Sequence, residues 1–268
     1  MEILAYLFAA LIGISLGLIG AGGSILTVPV LVYLGHVEPV LATAYSLFVV
    51  GSTALVGAIQ NSFRKLVDFR TAIMFGVPSI LAVYTTRSWI MPSIPQSFGI
   101  AGFTVTKGAA LLVLFAGLMI ATSISMIRGT GVRPEIHQTG EEVASHHIGL
   151  ILLEGLGVGM LTGLVGAGGG FLIIPALVLL AGLDMKMAVG TSLLIIAMKS
   201  LLGFTGDVHI GTTIDWPFLL LFTASSVIGI FIGSYLVKFV HGAKLKKAFG
   251  WFVLVMGIYM ILRETLFV

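Results

Sequence analysis

An all-α polytopic membrane protein of about ten membrane segments, two of them short, arranged as two inverted five-segment repeats, is the fold that this sequence predicts. Three observations predict it. Of the 268 residues, 58% are apolar or aromatic and only 9% are charged, where a soluble domain usually carries about 25% charge. Apolar runs of membrane-spanning length follow one another along the chain, and its second half repeats the first at an offset of 146 residues. With a mean hydropathy of +1.14, lipid is the dominant solvent. That composition excludes a soluble enzyme, a nucleic-acid-binding protein and a disordered chain. The absence of cysteine removes disulfides, thiolate nucleophiles and Cys-based metal sites.

Runs of about 20 apolar residues, the length a bilayer requires, lie near 3–20, 41–60, 71–90, 108–127, 148–165, 186–205, 216–237 and 248–266. The first begins with Glu2 rather than Lys or Arg and has no small-x-small cleavage site, so it reads as a retained span. Two shorter runs, 24–35 and 171–182, each follow a glycine cluster and are too short to cross about 30 Å of hydrocarbon as helices.

Basic residues decide how the short runs count. If both cross, or form halves of broken crossings, one side holds Arg64, Lys65, Arg70, Arg128, Arg133, Lys186, Lys238, Lys244, Lys246 and Lys247, and the other only Arg87, Lys107 and Arg263. Eight crossings leave the two sides nearly equal. The positive-inside rule favours ten, with both termini outside and the 129–147 loop in the cytoplasm of a cell (inner) membrane protein. The net charge of +3 is the ordinary excess of such loops, not the mark of an acidic partner.

The repeat lays Gly17-Leu18-Ile19-Gly20-Ala21-Gly22-Gly23 on Gly163-Leu164-Val165-Gly166-Ala167-Gly168-Gly169, Pro29 on Pro175, and Ala42, Ser46, Leu47, Leu55 and Gly57 on Ala188, Ser192, Leu193, Leu201 and Gly203; 16 of 41 ungapped positions are identical. One residue of slippage later, Val67-Asp68-Phe69 meets Ile214-Asp215-Trp216. The organisation expected is a first transmembrane repeat at 1–128, a cytoplasmic linker at 129–147 and a second repeat at 148–268. Five crossings is an odd number, so the halves enter the membrane from opposite sides, as in many secondary transporters.

The glycine clusters interrupt apolar runs where short helices begin. Amides at a helix start point outward along its positive end, so Gly22, Gly23 and Ser24 in one half, and Gly168, Gly169 and Gly170 in the other, are candidates to cradle an anion. The alternative is close helix packing, which is expected of Gly13, Gly17, Gly155, Gly159 and Gly163 at small-xxx-small spacing. Neither cluster forms a dinucleotide fingerprint. Thr43 and Ser46, with Thr191 and Ser192, place hydroxyls near the starts of matching spans, where they donate either to an oxyanion or to their own helix carbonyls. Lys199 falls deep in the 186–205 span, where a cation is costly and usually functional; snorkelling to the interface is the bland reading. Glu154, the acidic residue of comparable immersion, is a candidate to carry a coupling proton or to neutralise Lys199.

Asp68 and Asp215 read as helix caps, and Asp207 and His209 as outer-loop residues at a mouth. His146-His147 have no carboxylate at ligand spacing, and Glu141-Glu142 fall in the linker, so no metal or cofactor is expected. No Ser-His-Asp constellation lies at span depth and Gly190-Thr191-Ser192 is not a nucleophile elbow, so no enzymatic activity is expected.

At the duplicated G-x-x-G-A-G-G…P clusters of 17–29 and 163–175, at Ala188-Val189-Gly190-Thr191-Ser192-Leu193-Leu194, and at Lys199-Ser200-Leu201-Leu202-Gly203-Phe204-Thr205-Gly206-Asp207, the chain resembles the TauE/SafE sulfite exporters, the TSUP anion permeases, over nearly its whole length. The resemblance implies a polytopic plasma-membrane carrier for small sulfur-containing anions such as sulfite, thiosulfate or organosulfonates. Ser52-Thr53 stand where the second half has Met198-Lys199, so a single site would be asymmetric. The expectation is a secondary transporter that binds an oxyanion between the repeats and alternates access, with the anion and the lipid bilayer as partners and homo-oligomerisation left open. The other reading is a channel or intramembrane enzyme whose glycines serve only packing. Tilt of the long helices would bring both glycine clusters to the midplane.

Overall fold

The computed structural model describes residues 2–20, 23–100, 103–128, 144–166, 168–179, 181–209, 213–236 and 242–266. Ten helices account for nearly all of them. They are α1 (Glu2–Ile19), α2 (Ser24–Tyr33), α3 (Pro39–Phe63), α4 (Phe69–Ser93), α5 (Lys107–Arg128), α6 (Ala144–Val165), α7 (Gly170–Leu179), α8 (Met185–His209), α9 (Trp216–Leu236) and α10 (Gly242–Leu266). Helix α4 is α-helical over Phe69–Thr85, passes through a π-helical turn at Thr86–Ile90 and ends with Met91–Ser93. Among the described residues, five helices are long and apolar enough to cross a membrane: α3, α4, Lys107–Ile124 of α5, α8 and α9. Leu4–Ile19, α2 and Ile151–Val165 are shorter apolar helices. The molecule is an all-α polytopic membrane protein apart from one antiparallel hairpin, β1 (Ser97–Ile100) and β2 (Phe103–Thr106), with Ser97 paired to Thr106 and Ile100 to Phe103. Its signal was present in the aromatic and β-branched residues of Phe103-Thr104-Val105-Thr106, but the segment reads as a connection by hydropathy.

Helices α3 and α8 cross at the centre of the bundle. Around them α1 packs on α9, α6 on α4 and α5 on α10, while α4 also meets α8 and α9 meets α3. Small residues set these distances. A Cβ on Gly13 would lie 1.8 Å from the Ser226 carbonyl oxygen, and on Gly17 2.7 Å from that of Ile230; from the other helix, Gly229 and Gly233 press on the Ala10 and Ile14 carbonyls in the same way. Gly155 and Gly159 bring α6 against the Phe75 and Ser79 carbonyls of α4, and Gly163 reaches Thr86. The packing role expected of these glycines is what they have. Gly13→Leu should force α1 off α9 at a cost of about 1–3 kcal/mol or more, read as a lower melting temperature and expression yield; unchanged melting would mean that α1 is not held there.

The two aspartates cap helices as expected. Asp68 accepts from the Arg70 and Thr71 amides at 3.0 and 3.3 Å at the start of α4, and Asp215 accepts from the Phe218 amide at 3.2 Å at the start of α9. Each cap is tied to a central helix: the Asp68 amide donates to Thr191 Oγ1 on α8 at 2.9 Å, and the Asp215 amide to the Tyr45 hydroxyl on α3 at 2.6 Å.

Candidate functional site

The second glycine cluster lies between the central helices. Gly168 and Gly169 have φ of +61° and +66°, a region that favours glycine, and Gly170 opens α7. A Cβ on Gly168 would meet Val50 Cγ1 at 2.6 Å, Ile196 Cγ2 at 3.4 Å and the Ser24 Cβ at 3.4 Å. Val50 and Ile196 are each the twelfth residue of a 25-residue helix. The cluster therefore sits at mid-length of both α3 and α8, and the start of α7 faces the start of α2.

Lys199 enters from α8. Its side chain is fully buried, and Nζ donates to Thr162 Oγ1 on α6 at 3.0 Å. A Cβ on Gly169 would lie 2.8 Å from Nζ, so the ammonium abuts the glycine backbone. Among the described residues no carboxylate pairs with it, the single ion pair being Arg87–Asp207. An ammonium has three N–H donors, and the described partner takes one. No described hydrogen bond outside the helices is donated by the Gly168 or Gly169 amide, whereas the Gly169 carbonyl accepts from Leu172 and Ile173. The Lys199 ammonium thus lies against the Gly169 backbone, next to Gly168 in its contact with Val50 and Ile196. Such a site suits an oxyanion.

The other residues singled out from sequence divide. Ser46 is fully buried on α3, one turn before Val50, and its hydroxyl has no partner. Ser24 is buried at the mouth of α2. Gly23 has ordinary helical φ, and a Cβ there would strike the Ile12 carbonyl oxygen at 2.2 Å, so it seats α2 on α1. Gly22 lies outside the described residues. The Thr43 hydroxyl donates to the Val40 carbonyl and accepts from Arg87, Thr191 holds Asp68, and Ser192 donates to the Val189 carbonyl at 2.8 Å. These three hydroxyls are engaged within the protein. Glu154 is half-buried on α6, eight residues from Thr162, which is about 12 Å of helix rise; the structure does not bring it to Lys199.

Sequence reasoning missed Thr162, which sits one residue before the Gly163 repeat and carries no signal of its own. It also placed Asp207 in an outer loop, and it counted Arg87, at the end of the 71–90 run, with the cations of the outer side. Neither is a loop residue: Arg87 lies in the π-helical turn of α4 and Asp207 in the last turns of α8, both buried and 3.3 Å apart. A paired carboxylate can stay in a buried helix where a lone one could not, so the apolar window ended too early. One groove among the described residues, about 830 Å³ between α1, α2 and α10, is lined by Phe8, Leu26, Tyr33, Met256, Tyr259 and Arg263. It offers an anion little.

A bundle of apolar helices enclosing a buried lysine that has no carboxylate partner among the described residues, beside a broken helix, defines a polytopic membrane protein with an internal polar site. The chain belongs to the sulfite exporter TauE/SafE family, whose model matches residues 5–260. It is similar to a "Probable membrane transporter protein" of Xylella fastidiosa (strain 9a5c), 30% identical over 259 residues covering 95% of this chain and 92% of that one. It is also similar to the "Probable membrane transporter protein YunE" of Bacillus subtilis (strain 168), 28% identical over 228 residues and 81% of each chain. A third relative, the "Probable membrane transporter protein MJ0441" of Methanocaldococcus jannaschii, is 35% identical over 117 residues, 41% of this chain and 43% of that one. No solved structure matches significantly.

Proposed function

We propose that this protein is a secondary transporter of small sulfur-containing anions, sulfite, thiosulfate or an organosulfonate, and that the oxyanion binds at Gly168, Gly169, Gly170 and Lys199 between two inverted repeats. One observation carries the proposal: a fully buried ammonium whose described partner is a neutral hydroxyl, set against left-handed glycine backbone at mid-length of the central helices. A dry cation of this kind needs a counter-charge, and an anionic substrate supplies it transiently. Membership of a family named for sulfite export supports the substrate class.

Crosswise packing supports the inverted repeat, with domains at 1–128 and 148–268 joined by a cytoplasmic linker at 129–147. The first helix of each half packs on the fourth of the other, α1 on α9 and α6 on α4, while α3 meets α8 and α5 meets α10. Individual contacts follow the same exchange: Gly20 abuts Val189 as Gly166 abuts Thr43, and Gly57 meets Ile230 as Gly203 meets Val83. Halves related in this way can rock about the α3–α8 contact and expose the site to each face in turn. Glu154, with its Oε2 buried and unpartnered, is the candidate for a coupling proton.

Burial of Arg87 and Lys107 leaves Arg263 as the exposed cation of the side assigned to the exterior, in line with ten crossings and both termini outside. Because the chain lacks cysteine, single cysteines report sidedness directly. Cysteine at Ser62 should react with an impermeant maleimide only from the cytoplasmic face and at Thr213 only from the exterior; reaction of both from one face rejects this topology. A panel of radiolabelled sulfur anions in proteoliposomes, with and without a pH gradient, tests the function itself. Saturable uptake of at least one is expected, and flux that stays linear into the millimolar range would favour a channel.

A further inference from the structure

Arg87 is fully buried, although nothing in the central site needs it. It lies in a π-helical turn, a distortion frequent at functional sites. Its Nη1 donates to Thr43 Oγ1 at 2.9 Å and to Asp207 Oδ1 at 3.3 Å, while Nε and Nη2 have no partner. Asp207 Oδ2 is likewise buried and unpartnered. Gly206 makes room for this arrangement, since a Cβ there would lie 3.0 Å from Arg87 Cβ and 3.1 Å from Ser88 Oγ. Lys107, also buried, donates from Nζ to the Met91 carbonyl, and the charged groups acting on it are Arg87, Glu38 and Asp207. Glu38 is exposed. Among the buried groups, two cations therefore face one carboxylate.

The free donors form a geometric pair. Nε and Nη2 share one edge of the guanidinium, and their parallel N–H bonds match two oxygens carried on one atom, as in a sulfonate, a sulfite or a carboxylate. Leaving both buried without acceptors is costly, so that edge is built for an acceptor that comes and goes. The Arg87 partner Thr43 begins a line of residues that leads towards the central site. Thr43, Ser46 and Val50 occur at i, i+3 and i+7 on α3 and so share a face. Thr43 is held by Arg87 and Val50 touches the Gly168 region, about 10 Å further along the helix. The unpartnered Ser46 hydroxyl lies between them.

The sequence of the other half does not repeat this arrangement. By the repeat offset, and the one-residue slip after it, Thr43, Arg87 and Asp207 correspond to Val189, Ser234 and Asn61. No charge stands at the matching place in the other half, and Asn61 is occupied with the Gly57 carbonyl. We propose that Arg87 is a second anion station at the outer end of the path and that its pair with Asp207 is the gate. The incoming oxyanion takes the Nε–Nη2 edge, weakens the hold of Nη1 on Asp207 and passes by way of Ser46 to Lys199. The inference rests on the transport reading above and on the topology that puts the ends of α4 and α8 outside.

The test compares initial rates in proteoliposomes of known orientation, with sulfite presented from either face, beside calorimetric sulfite binding to the purified full chain. Arg87→Gln should raise KM for sulfite offered at the outer face about tenfold or more, the loss of a charge-assisted contact. KM from the inner face and calorimetric affinity at the Lys199 site should change by less than about threefold. Asp207→Asn is nearly isosteric and should lower outer KM, because the carboxylate no longer competes for the guanidinium. The double variant Arg87→Gln with Asp207→Asn removes both members of the pair, so neither is left facing the other's vacancy; it reports outer KM even if Arg87→Gln does not fold, and the same rise is expected. Equal effects from both faces, or an unchanged outer KM in folded Asp207→Asn and in the double variant, would make the pair a structural strut and overturn the gate. Failure of the transport reading is distinguishable: the wild-type protein would then show no saturable sulfite flux from either face.

Discussion

Lys199→Met should fold, insert and melt close to wild type, yet lose saturable anion uptake by about 100-fold or more, as expected when one member of a desolvated charge pair is removed. Methionine replaces a buried ammonium by an apolar chain of similar length. It leaves Thr162 without its donor but creates no unpaired charge, so stability should be preserved or improved. Lys199→Arg should keep part of the activity: the charge survives, but the wider guanidinium must fit where Nζ already abuts the Gly169 backbone. Because Glu154 is about 12 Å of helix rise from Thr162, adding Glu154→Gln to Lys199→Met should rescue nothing. Wild-type KM and rate in Lys199→Met would leave the lysine without a substrate role.

Gly169→Val should have the second largest effect. Valine is strained at the φ of +66° found there, and its Cβ would lie 2.1 Å from Thr162 Cγ2 and 2.8 Å from Lys199 Nζ. Transport should fall below detection. A refinement separates anion binding from packing. Gly169→Ala combined with Thr162→Ser removes the methyl group nearest the new Cβ; it should recover part of the melting temperature and yield lost in Gly169→Ala alone, the left-handed strain remaining, but not transport, since the alanine methyl still covers the approach to the ammonium. Gly23→Ala should fail differently, losing fold and yield together, because its Cβ meets the Ile12 carbonyl of α1. If the Gly169→Ala, Thr162→Ser variant regains transport along with stability, the second cluster serves packing as Gly23 does.

The helices were legible in the sequence because each has an apolar run bounded by turn or capping residues, and Asp68 and Asp215 declared their caps through the shared motif. Residues at small-xxx-small spacing declared their packing too, since only glycine allows backbones to come as close as Gly13 does to Ser226. Lys199 was legible from depth alone. What depth could not reveal is direction. Glu154 and Lys199 are similarly immersed, but which helix face each occupies depends on how α6 and α8 are rotated against their neighbours. Thr43 and Thr191 stand near the starts of matching spans in sequence, yet their hydroxyls serve Arg87 and Asp68. The Arg87–Asp207 pair joins residues 120 positions apart, and hydropathy left Asp207 in a loop because it scores a paired charge as it scores a lone one.

Locating the anion itself is the most direct test. Selenite is a close analogue of sulfite, and its selenium can be found by anomalous scattering in crystals of the full-length protein soaked at a saturating concentration. The expected result is a peak at mid-length of α3 and α8, within hydrogen-bonding distance of Lys199 Nζ and of the Gly168–Gly170 backbone, and its disappearance in Lys199→Met. A selenium peak elsewhere, with none beside Lys199 despite saturable binding in solution, would contradict the proposed site.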